Sequence, residues 1–88
     1  MEINQAEKLL KALANRRRLK IIKYLNDNKK ASVTELAGYL KLSFKSTSKH
    51  LAVLKNADIV ETEQVSLTCF YALAQSPNPL VKLVLSIV

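Results

Sequence analysis

A chain of 88 residues with 49% hydrophobic side chains forms one small domain, long enough to bury a core and short enough for that core to be marginal without a partner. One Gly and two Pro leave long periodic runs uninterrupted, which favours helices over a many-stranded sheet and points to a mainly α fold. A net charge of +7, a single His, a single Cys and no Gly-rich phosphate loop or nucleophile motif argue against enzymatic chemistry, a cofactor and a Cys-pair metal centre.

The charge is lopsided. Between Met1 and Ala57 there are 13 basic and 4 acidic residues, a balance of +9; from Asp58 onward the balance is −2. A basic surface of this kind suits nucleic acid, an anionic membrane or an acidic protein. No apolar run reaches the roughly 18 residues a membrane span needs. The start MEINQAEKLL also lacks the basic stretch and apolar core of a signal peptide. A cytoplasmic protein without a membrane partner is therefore expected.

In chain order, Ile3, Ala6, Leu9, Leu10 and Leu13 recur at helical spacing and predict an amphipathic first helix. Asn15 can cap a second helix whose inward row is Leu19, Ile22 and Leu25, ending at Asn26 to Asn28. Ser32 with Glu35 three residues on forms a capping box for a short third helix through Leu36, Ala37 and Leu40. Lys41 and Leu42 then leave only a brief turn before the next cap, the spacing of a helix-turn-helix.

That next cap is Ser43, which opens a two-faced helix to Asn56. Thr47, Leu51 and Leu54 make its core stripe, and Phe44, Lys45, Ser48 and Lys49 face the other way. The basic end is also the positive end of the helix dipole, which is how a helix meets a phosphate-lined groove.

Beyond Asn56 the pattern turns extended. Ile59 to Thr62 and Leu67 to Leu73 predict a β-hairpin with its tip near Val65 and Ser66. Asn78 and Pro79 then start a last helix, in which seven of the nine residues from Leu80 to Val88 are apolar. Such a helix must be buried by its own core or by a partner, and the expectation is a dimer interface of Ile3, Ala6, Leu10, Leu80, Leu83, Val84 and Ile87.

The residues resemble the ArsR-type winged helix-turn-helix repressors. Leu13-Ala14-Asn15-Arg16-Arg17-Arg18-Leu19-Lys20-Ile21-Ile22 is similar to that family's L-A-D-P-x-R-L-x-I-L opening, with Arg16 where proline is usual. Thr34 to Ala37, Leu42-Ser43 and Ser48 to Leu54 resemble its E-L-A, L-S and S-R-H-L-x-V-L recognition unit. Asn56 to Val60 resembles x-A-G-L-V, and Phe70 to Leu73 resembles Y-Y-x-L.

The resemblance implies five helices with a two-stranded wing in a single domain spanning 1–88, with 1–14 and 79–88 as dimerisation helices. It further implies a homodimer that binds two-fold related double-stranded DNA and represses transcription. Ser32 and Thr34 stand where metal-sensing members carry Cys-x-Cys, and the closing helix has no Asp or His. The resemblance therefore implies no metal, and no small-molecule effector is identifiable. The wing offers Glu61, Glu63 and Gln64 in place of arginines, with Ser66 at a glycine place.

The expected base-facing residues are Phe44, Lys45, Ser46, Ser48 and Lys49, with Arg16, Arg17, Arg18, Lys41, Ser43, His50 and Lys55 on phosphates. Phe44 has two readings, contact with thymine methyls or packing towards Thr47. The three arginines oppose the dipole of the second helix, so they either hold a phosphate or form a solvated cluster. His50 is structural or phosphate-contacting, and Cys69 is expected as a small buried hydrophobe. A winged-helix protein-interaction module in a transcription or antitoxin-like assembly is the alternative, supported by the acidic wing.

Overall fold

The computed structural model describes every residue from Met1 to Val88. Helix α1 (Ile3–Leu13) is followed by α2 (Arg16–Asn28), whose cap is Asn15: its side chain accepts from the Arg17 and Arg18 backbone N–H groups. Ser32 caps α3 (Val33–Leu40) and Ser43 caps α4 (Phe44–Asn56), each accepting from the N–H three residues on. Asn78 caps α5 (Pro79–Ile87), with Pro79 in the first turn, where its missing N–H costs nothing. The helix starts therefore fall where the capping side chains place them. In α3 the Glu35 carboxylate accepts from the Tyr24 hydroxyl, a tie from α2 to α3 that sequence spacing did not disclose.

The hairpin is β2 (Val60–Val65) and β3 (Thr68–Leu73), joined through Ser66 and Leu67. A third strand, β1 (Lys30–Ser32), pairs antiparallel with β3, so the sheet has three strands in the order β1-β3-β2 instead of the expected two. Three residues with only Ala31 apolar carry no strand signal of their own. β1 exists because β3 offers it an edge, and in pairing there it covers that edge.

The core is built from Leu9, Ala12 and Leu13 of α1, Ile21, Ile22 and Leu25 of α2, Leu36 of α3, Leu51 and Leu54 of α4, with Ala31, Ile59, Val60 and Val81. Each fully buried Leu or Ile adds roughly 1.5–3 kcal/mol by leaving water. In α1 the expected single stripe divides. Leu9 and Leu13 go inward with Ala12, while Ile3 and Leu10 stay 85% and 53% exposed. Helix α5 divides similarly: Val81 is buried, and Leu80, Val84 and Leu85 pack against the same core.

Four non-glycine residues close chain reversals with positive φ: Lys29 (73°), Lys41 (57°), Asp58 (59°) and Ser66 (56°). Asp58 and Ser66 occupy the two places where the resembled family has glycine, so the left-handed backbone is retained without the residue that adopts it most freely. Lys41 and Asp58 stand just outside the two ends of α4.

Candidate nucleic-acid interface

Helix α4 is aimed from within. Thr47, Leu51 and Leu54 are fully buried, and the Thr47 hydroxyl donates to the Ser43 carbonyl at 2.9 Å, so even the polar member of the stripe is satisfied. At the N-terminus the Ser43 hydroxyl oxygen accepts from the Ser46 N–H at 3.0 Å. The opposite face holds Phe44, Lys45 and Lys49, all exposed, with Ser46 and Ser48 half-buried beside them. Phe44 is 61% exposed, which favours its outward reading over packing on Thr47.

Thirteen residues of helix run about 20 Å, and an α-helix, about 10–12 Å across with its side chains, fits the major groove of B-DNA. Neither Lys45 nor Lys49 has an acidic partner within the protein, whose two ion pairs are Lys11–Glu7 and Lys30–Glu63. Lys41 is exposed in the left-handed turn between α3 and α4. Lys55 extends towards the wing, its Nζ 3.4 Å from the Thr62 hydroxyl in a long, exposed contact.

The three arginines separate. Arg16 and Arg17 are exposed. Arg18 is not a free cation: its Nε donates to the Ala12 carbonyl at 2.6 Å, its Nη2 to the Lys11 carbonyl at 3.0 Å, and its Nη1 lies 3.2 Å from His50 Nδ1. Arg18, expected on a phosphate, is thus engaged by the carbonyls at the end of α1, and these offset the adverse α2 dipole. The His50 pKa is lowered by burial and, after that, by Arg18 and Arg17.

In the wing, Glu63 is bridged by Lys30 at 3.6 Å, and Lys30 also lies 4.8 Å from the centre of the Phe70 ring. Both ends of that bridge are solvated, so it contributes little stability, but it moderates one of the wing's negative charges. Cys69 is half-buried rather than buried. No three His, Cys, Asp or Glu side chains come together as a metal site would require, and no helix is long and apolar enough to cross a membrane.

Two capped helices across a short left-handed turn, followed by a hairpin, define a winged helix-turn-helix protein. Residues 15–62 match the model of the bacterial regulatory protein, arsR family. The chain is 45% identical over 78 residues to the transcriptional activator HlyU of Vibrio cholerae, covering 86% of this chain and 71% of that protein.

A solved structure of V. cholerae HlyU superposes with a TM-score of 0.81 at 42% identity, covering 99% of this chain and 92% of that one. The transcriptional repressor PagR of Bacillus anthracis gives a TM-score of 0.79 at 27% identity, over 97% and 93% of the two chains. The homodimeric winged helix-turn-helix DNA-binding domain Mb0332 of Mycobacterium bovis gives 0.82 at 26%, over 97% and 75%. The chain belongs to the ArsR family of bacterial transcriptional regulators.

Proposed function

We propose that this regulator binds a two-fold related sequence in double-stranded DNA as a homodimer, with α4 of each copy in the major groove. The observation that carries the reading is the division of α4 into a fully buried stripe and an outward face whose lysines have no protein partner. Phe44, Lys45, Ser46, Ser48 and Lys49 read base edges, and Arg16, Arg17, Lys41 and Ser43 hold phosphates. The exposed stripes of α1 and α5 are the surfaces for the second copy, in keeping with the homodimeric M. bovis relative. Regulation is the whole activity, with no enzymatic step, and it takes place in the cytoplasm where the chromosome lies.

The expected repressor role is one of two signs among the relatives, since HlyU is named an activator and PagR a repressor. Where the site falls relative to a promoter decides the sign for this chain. Selection from random duplex DNA tests the reading. Enrichment of a two-fold motif with half-sites about 34 Å apart is expected. Lys49→Glu, on the exposed face, should abolish that binding with the fold intact, and a folded Lys49→Glu protein that keeps its affinity would overturn the assignment.

The acidic wing favours one other reading, a protein-interaction module whose basic helix meets an acidic partner. No enrichment in the selection would favour the module.

A further inference from the structure

Arg18 joins three helices through one guanidinium. The carbonyls of Lys11 and Ala12 lie beyond the last backbone bonds of α1, because the Ala14 N–H goes to Leu10 and the Asn15 N–H to Leu13. They are the unpaired acceptors that every helix end must satisfy. Arg18 reaches back from the first turn of α2 and satisfies both. Its third nitrogen meets His50 in the middle of α4.

A guanidinium has donors only, so His50 Nδ1 must accept, and the imidazole in this contact is neutral with its proton on Nε2. Nε2 has no protein partner, and no buried side-chain polar atom is left without one, so the Nε2–H opens to solvent on the helix that carries Lys45 and Lys49. Burial and the neighbouring arginines favour that neutral form.

We propose that Arg18 is a positioning residue for DNA binding, holding His50 in the Nε2–H tautomer so that this N–H donates to a phosphate oxygen while the same guanidinium fastens α4 to the end of α1. The proposal rests on the duplex-DNA reading and gives Arg18 a role that the other two arginines lack. A neutral donor releases no counterion, so the contact adds affinity without adding salt dependence. Arg16 and Arg17, as direct phosphate partners, each add about 0.9 to the salt slope.

The test uses the full chain and a duplex enriched by the wild-type protein. Binding is measured over a salt series for wild type, Arg18→Gln, His50→Ala and the double variant, alongside ¹⁵N spectra of the His50 ring. Each single change is expected to weaken binding about five- to tenfold, the net worth of one hydrogen bond. The double variant should stay within about twofold of the weaker single, because both changes remove one contact. The salt slope should not move, and the ring spectrum should pass from a fixed Nε2–H tautomer to a mixture in Arg18→Gln.

Additive losses, an unchanged ring spectrum, or a slope reduced by about 0.9 in Arg18→Gln would each overturn the proposal. If Arg18→Gln does not fold, His50→Ala decides, since it leaves both bonds to α1 intact: unchanged affinity in that variant refutes the proposal. Wild-type protein that binds no duplex overturns the DNA reading and this proposal together, whereas wild-type binding with additive losses overturns this proposal alone.

Discussion

Arg16, Arg17 and Arg18 are consecutive and chemically identical, yet the fold leaves two of them exposed and commits the third to backbone carbonyls. Sequence spacing brought out the conflict between these cations and the α2 dipole but not its resolution, because the acceptors belong to another helix. Burial of His50, and after it the charges of Arg18 and Arg17, makes stability depend on pH. The folded-state pKa of this base is depressed below its ordinary 6.5, so the unfolded chain takes up the proton first as pH falls. Stability from this group is therefore flat above neutrality, declines as pH drops through about 6.5, and levels off below the folded-state value. Denaturant melts of wild type and His50→Gln between pH 8 and pH 5 should show a steeper decline for wild type; parallel curves would contradict the depressed pKa.

At the scale of elements, helix starts were the most legible features, because Asn15, Ser32, Ser43 and Asn78 each cap by a local side-chain bond that needs no tertiary context. Strand β1 was illegible for the opposite reason, since its pairing is entirely with β3. The division of α1 into an inward row and an outward row was also hidden, because Ile3, Ala6, Leu10 and Leu13 share helical spacing whichever neighbour they meet. Helix α3 contains one avoidable weakness. Gly38 is helical and exposed, its φ is not positive, and a Cβ added there meets nothing within 4 Å. Gly38→Ala should stabilise the protein by about 0.5–1 kcal/mol through helix propensity and a less flexible unfolded chain. A thermal melt checks this, and a lower melting temperature would show that the site is more crowded than it looks.

Across the whole molecule, bare apolar side chains stand at the hairpin tip, where Leu67 is 98% exposed, on the outward face of α4 at Phe44, and along the two terminal helices α1 and α5. Ile3, Ala6, Leu10 and Ala14 line an open depression of about 410 Å³ with Glu7 and Lys11. On α5, Leu83 and Ile87 are 60% and 74% exposed, while Leu80 and Val84, expected at the interface, pack partly on their own core. Leu83→Glu and Leu10→Glu should therefore each shift a homodimer towards monomer in a sizing experiment without unfolding it. An unchanged dimer in both would place the interface elsewhere. The family resemblance made the architecture legible across most of the chain, but which side of each terminal helix stays free depended on packing that one sequence does not contain.

The arrangement of α4 has a further meaning for how such proteins diversify. The residues that set its direction are Thr47, Leu51 and Leu54 inside, with Lys41 and Asp58 in left-handed backbone just beyond its ends. None of the three buried residues belongs to the outward set of Phe44, Lys45, Ser48 and Lys49. On the proposed DNA reading, the side chains that set target preference are therefore distinct from those that fix the direction of the helix. Replacing Phe44 and Ser48 together with other polar or apolar side chains should alter the motif enriched from random DNA and leave the melting temperature within a few degrees of wild type. The outward side chains of α4 are, on that proposed DNA reading, an exchangeable inventory mounted on a fixed frame.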